Sequence, residues 1–121
     1  LALPARLAFR VQLALQEAAS NAVLHGFAPG GSGEVWLEIA AGADRVEAVL
    51  RDNGVAFDPV SAALPPVPRS IEELPPDGRG LAVMRRFCRQ MRYRRAGATN
   101  ELVMVFEAGE DAMEAGSSAG L

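Results

Sequence analysis

The sequence predicts a single α+β domain. Three observations predict it: a long N-terminal segment of helical periodicity, two pairs of segments with strand character, and a second, shorter helical segment set between those pairs. Half of the 121 residues are apolar, which supplies one real core and leaves no room for a second domain. The globular unit is expected over residues 1–107. Residues 108–121, rich in Gly, Ala, Ser and acids, are expected to form a flexible acidic tail.

The first helix is predicted from Pro4 to about His25. Leu7, Val11, Leu15, Ala18 and Ala22 recur at three- and four-residue steps, Pro4 is tolerated in a first turn, and Gly26 and Pro29 stop the run. From Glu34 to Ala41, Val35, Leu37 and Ile39 alternate with Glu34, Trp36 and Glu38, the pattern of a strand with one buried face. Gly42-Ala-Asp44 turns the chain. Arg45 to Arg51 then points Val46, Ala48 and Leu50 inward as an antiparallel partner that delivers Asp52 at its end. Residues 55–77 contain six prolines and no sustained period apart from Ser70-Ile-Glu-Glu73, which has the form of a capping box; a connection of this length reads as a lid. Gly80 to about Gln90 is predicted helical, with Leu81, Met84, Phe87, Cys88 and Met91 on one face and Arg85, Arg86, Arg89 and Arg92 on the other. That arginine face is either solvated or a dock for an acidic partner. Two strands close the domain, Arg92–Arg95 and Glu101–Glu107, joined by a turn at Gly97-Ala-Thr-Asn100.

Composition removes several kinds of chemistry. All twelve basic residues are arginine, so Walker-A nucleotide binding, Schiff-base chemistry and the strand lysine of eukaryotic-type protein kinases are excluded together. The one cysteine, Cys88, permits no disulfide within the chain and no cysteine-based zinc site, which suits a reducing cytoplasm. A net charge of −3 argues against a general nucleic-acid binder. No apolar run has the length of a membrane span, and the protein reads as soluble.

Three phrases carry candidate chemistry. Glu17 and Asn21 lie four apart on one helix face. An Asn carbonyl oxygen suits Mg²⁺, and a carboxylate one turn away can orient or deprotonate an attacking hydroxyl; the plainer reading is an exposed polar stripe. Asp52, with Gly54 two residues on, either accepts a hydrogen bond from an exocyclic amine such as that of adenine, the glycine letting the base approach, or simply makes a turn. Gly78-Arg79-Gly80, placed before a helix, can offer amides and a helix dipole to phosphate oxygens without a lysine.

In order and spacing these phrases resemble a known family. Glu17-x-x-x-Asn21 with Ala22-Val23-x-His25-Gly26, then Asp52-Asn-Gly-Val-Ala-Phe57-Asp58-Pro, Ser70-Ile-Glu-Glu-Leu74 and Gly78-Arg-Gly-Leu81 look like the GHKL ATPase superfamily, most closely the bacterial anti-sigma-factor serine kinases. The resemblance runs from about Leu7 to Glu107. It implies a two-layer α/β sandwich, with a mixed, mostly antiparallel sheet, helices on one face and a long ATP lid. It implies Glu17 as the general base, Asn21 as the Mg²⁺ ligand, Asp52 with Gly54 as the adenine reader, and Gly78, Arg79, Gly80 and Leu81 where the lid meets the triphosphate. Leu102 and Pro76 stand where some relatives place a hydroxyl or an arginine near the phosphates, with Arg79 or Thr99 as substitutes. The implied activity is transfer of the γ-phosphoryl group of ATP to a serine of a STAS-type anti-sigma-factor antagonist, coupled to capture of a sigma factor, in a possible homodimer. A catalytically silent ATP-binding switch and a histidine-kinase catalytic domain are the alternatives. His25, at the end of the Asn motif, is expected to be structural or capping and not a phospho-acceptor.

Overall fold

The structure, a computed structural model, describes residues 3–61 and 76–108. Pro4 precedes helix α1 (Ala5–Gly26), and its carbonyl accepts the first helical hydrogen bond, from Ala8 N–H at 2.9 Å. The predicted period holds along α1, where Leu7, Val11, Ala14 and Ala18 form one buried stripe. After Gly26 the chain turns extended at Phe27. Strands β1 (Val35–Ala41) and β2 (Arg45–Asp52) form the expected hairpin, and helix α2 (Pro76–Phe87) leads into strands β3 (Gln90–Ala96) and β4 (Thr99–Glu107). The sheet order is β1-β2-β4-β3, every pair antiparallel, and both helices lie on one face.

The core forms between that face and the helices. Val46, Ala48 and Leu50 of β2 sit opposite Phe106, Met104 and Leu102 of β4, and these six pack with the α1 stripe and with Met84 and Cys88. Each fully buried large side chain, Phe106 and Leu7 among them, contributes about 1.5–3 kcal/mol of hydrophobic stabilisation. Arg10 is buried with them. Its guanidinium donates to the carbonyl of Phe87 at 3.1 Å and to that of Glu107 at 2.6 Å, so one cation ties the C-terminal end of α2 to the end of β4.

Three expectations change. β1 has no buried face: all seven of its residues are exposed. Leu37 pairs with Leu50 and Ile39 with Ala48, so they share the helix-facing side of the sheet, but β1 is the edge strand and neither helix reaches over it. The second helix begins at Pro76, where a proline fits the first helical position, and it ends at Phe87, before Gln90. Gly78, Arg79 and Gly80 therefore lie inside its first turns and not ahead of it. This also breaks up the arginine face. Arg85 donates to the carbonyls of Pro59 and Val60, Arg89 lies 3.6 Å from Glu107, and Arg92 sits on β3. Residues 62–75 of the expected lid, with the Ser70–Glu73 capping motif, and the tail from residue 109 lie outside the described residues. Among the described residues no helix is long and apolar enough to cross a membrane.

Candidate nucleotide site

Helix α1 carries two neighbouring rows of side chains toward its C-terminal end. Ala18, Ala22 and Gly26, four residues apart, form the floor of a pocket whose other walls include Leu50, Asp52, Phe57, Tyr93 and Asn100. The cavity itself is small, about 20 Å³, and the site opens to solvent above it. Small side chains at these three positions keep that space open. One residue earlier, Glu17 and Asn21 point instead toward α2.

At the pocket end Asp52 is buried, and a carboxylate there requires partners. Its Oδ1 accepts the N–H of Gly54 at 2.9 Å and the side-chain Nδ2 of Asn100, the residue opposite it on β4, at 2.8 Å. Oδ2 has no partner among the described residues, so it is the acceptor left for a ligand. The turn after Asp52 is held by Arg95, which donates to the Gly54 carbonyl at 2.6 Å, and by the Asn53 side chain, which accepts Glu34 N–H at 2.8 Å. Gly54 also has a packing reason to be glycine. A Cβ there would stand 2.5 Å from the Gly26 carbonyl oxygen and 2.7 Å from its Cα, so the missing side chain lets the turn close on the end of α1. Val55 N–H completes that contact by donating to the Gly26 carbonyl at 2.9 Å. His25 stacks on Phe57, ring centroids 4.1 Å apart and planes 12° from parallel, and so backs the pocket wall.

At the other end Asn21 is buried and Glu17 half-buried. Asn21 Nδ2 donates to the Met84 sulfur at 3.5 Å, which turns the amide oxygen away from that contact. Both side chains converge on Gly80: a Cβ there would meet Glu17 Oε1 at 2.8 Å and Asn21 Oδ1 at 3.6 Å. Glu17, Asn21 and Gly80 are therefore brought together, and so, separately, are Asp52 and Gly54. Gly78 and Arg79 fall in the first turn of α2, and Leu81 is buried. Thr99 is not near this end. It opens β4 one residue before Asn100, on the opposite face of the strand from Asp52.

Residues 1–106 match the model of the histidine kinase-like ATPase domain. The chain belongs to that family. Membership implies ATP binding. Among relatives, the serine/threonine-protein kinase BtrW of Bordetella bronchiseptica is 37% identical over 100 residues, 83% of this chain and 70% of that protein. The anti-sigma F factor of Shouchella clausii is 28% identical over 82 residues, 68% of this chain and 56% of that one. The chain thus spans little more than half the length of the anti-sigma F relative. Among solved structures, the histidine kinase domain of the Erythrobacter litoralis EL346 blue-light activated histidine kinase superposes with a TM-score of 0.60 over 91% of this chain and 48% of that one, at 17% identity, a likeness of fold.

Sequence reasoning missed Asn100, Tyr93, Arg95 and the Ala18/Ala22/Gly26 floor. Asn100 falls in the turn that the sequence predicts, and its pairing with Asp52 is a matter of strand register that no local pattern encodes. The floor had a visible signal: three small residues at i, i+4 and i+8 on a helix that elsewhere buries Leu and Val.

Proposed function

We propose that this domain binds ATP with Mg²⁺ and transfers the γ-phosphoryl group to a serine of a STAS-type antagonist, acting as an anti-sigma-factor kinase in the cytoplasm. The observation that carries the reading is the convergence of Glu17 and Asn21 on Gly80, one helix away from a pocket whose buried Asp52 keeps a free oxygen. The naming of two relatives, a serine/threonine kinase and an anti-sigma F factor, supports the class of reaction and of partner.

Each residue has a separable task. Asp52 Oδ2 accepts a hydrogen bond from the adenine amine, and the apolar floor takes the ring. The first turn of α2 offers the phosphates the backbone N–H groups of Asp77, Gly78 and Arg79, which no helical carbonyl claims. The site fits a magnesium ion shared with phosphates: the oxygens offered are hard, and no cluster of three acidic, His or Cys side chains among the described residues would hold a metal alone. Asn21 would supply one ligand oxygen to such an ion, which would offset negative charge on the phosphates. Glu17 accepts the proton of the serine hydroxyl as its oxygen bonds to the γ-phosphorus and the bond to the ADP oxygen breaks. We assign the same protein the capture of a sigma factor, with a homodimer as its working form.

The histidine-kinase alternative draws no support from His25, whose ring is stacked on Phe57 at the base end, away from Glu17. The test mixes the protein with Mg²⁺, γ-labelled ATP and candidate STAS-domain proteins. Label on a partner serine that Glu17→Ala abolishes, with ATP binding retained, is the expected result. Binding without transfer to any partner identifies the silent switch, and label on the protein's own histidine overturns the proposal.

A further inference from the structure

We propose that Tyr93 is a positioning residue that sets the base selectivity of this pocket through Asn100, so that it accepts a 6-amino purine and rejects a 6-oxo purine. The inference rests on the reading of Asp52 as the base-end acceptor and assigns two further residues to it.

Asn100 is buried, and every one of its side-chain hydrogen-bonding atoms is engaged. Nδ2 lies among three acceptors: Asp52 Oδ1 at 2.8 Å, the Val55 carbonyl at 2.9 Å and the Gly54 carbonyl at 3.5 Å. Oδ1 accepts the Tyr93 hydroxyl. Only this orientation of the amide satisfies the group. Turned over, its oxygen would face a carboxylate oxygen and two carbonyls, and its NH₂ would face the hydroxyl. Among the described residues Tyr93 supplies the only donor on the Oδ1 side, so the hydroxyl satisfies the amide oxygen from across the strand pair β3–β4.

The consequence reaches the ligand. Both amide protons of Asn100 and the hydroxyl proton of Tyr93 are spent inside the protein. The polar atoms that Asp52 and Tyr93 still present to the pocket, Oδ2 and the Oη lone pairs, are therefore acceptors. An exocyclic amine supplies the two N–H groups that such a wall needs. A 6-oxo group sets an oxygen against the carboxylate and leaves both unpaired, which buried sites penalise heavily. Without the Tyr93 hydroxyl Asn100 Oδ1 is buried with no donor among the described residues, the amide shifts to find one, and its bond to Asp52 Oδ1, which helps hold Oδ2 toward the base, weakens.

The test is calorimetric titration of the full chain with Mg²⁺-ATP and Mg²⁺-inosine triphosphate, for wild type, Tyr93→Phe, Asn100→Ala and the double variant, with a thermal melt of each. Wild type is expected to favour ATP by about a hundredfold. Tyr93→Phe is expected to weaken ATP about five- to tenfold and inosine triphosphate less than about twofold, and to add nothing in the Asn100→Ala background. A purely structural role would lower both affinities together and leave their ratio intact. A selective wild type whose ratio survives Tyr93→Phe, whatever its melting temperature, overturns the role of Tyr93 and leaves the Asp52 reading standing. A wild type that binds both nucleotides equally overturns the base-end reading itself. Tyr93→Phe alone keeps the proposal falsifiable if Asn100→Ala fails to fold.

Discussion

Replacing Gly80 by alanine should separate stability from chemistry. Gly80 is the fifth residue of α2, so its backbone is helical and an alanine there is favoured over glycine by about 1 kcal/mol. Against this gain, the new Cβ would stand 2.8 Å from Glu17 Oε1 and 3.4 Å from Asn21 Nδ2. The first contact must open by roughly half an ångström or more. The atom in the way is the tip of a half-buried, flexible side chain, so it yields by a rotamer change costing on the order of 1 kcal/mol. The two effects nearly cancel, and the melting temperature should stay within about 5 °C of wild type. Transfer is another matter. A base misplaced by about 1 Å loses about a hundredfold in rate, while ATP affinity, which the proposed function assigns to the Asp52 end, should change less than about threefold. A thermal melt, a nucleotide titration and labelled transfer to the partner serine read the three quantities. Wild-type transfer by a folded Gly80→Ala protein would refute the placing of Glu17 as base against α2.

Gly54→Ala is the contrasting case: its Cβ meets the backbone of Gly26 at 2.5–2.7 Å, which no rotamer relieves, so a loss of about 2–3 kcal/mol is expected by denaturant titration. Asn21→Ala should raise the Mg²⁺ concentration for half-maximal transfer about tenfold or more while nucleotide binding without metal is little changed, as read by titrating the metal at fixed ATP. On the outer sheet face, hydrogen bonds from Arg94 and then Arg51 hold the Glu101 carboxyl below its ordinary value of 4.5, so the stability it adds is present above that pH and fades as pH falls through the depressed value. Glu101→Gln should accordingly lower the melting temperature by only about a few degrees at pH 7, since the ion pairs are solvent-screened, and the difference from wild type should vanish in strong acid.

What the sequence made legible followed from local rules. The period of Leu7, Val11 and Ala18, the alternation of Val46, Ala48 and Leu50, and the spacing of Glu17 and Asn21 each report a neighbour one turn or one strand residue away, and each appears in the structure as read. What escaped depended on partners distant in sequence. Val35, Leu37 and Ile39 have the alternation of a half-buried strand, but burial needs a helix above the strand, and α1 and α2 lie over β2 and β4 instead. Arg10 sits in an otherwise apolar run and looks out of place until the carbonyls of Phe87 and Glu107, 77 and 97 residues away, are beside it. Asn100 meets Asp52 across 48 residues through strand register alone.

One helix fixes the length of the candidate site. From Glu17 to Gly26 is nine residues, about 13 Å along an α-helix axis, and the first of these faces α2 while the last lies under Asp52, with its Cβ position 3.5 Å from Oδ1. The two rows differ by one residue, about 100° of rotation, so Glu17/Asn21 and Ala18/Ala22/Gly26 look into adjoining spaces without competing for one. Because the α-helix is stiff, the distance between the two ends of the candidate site cannot drift with the loops.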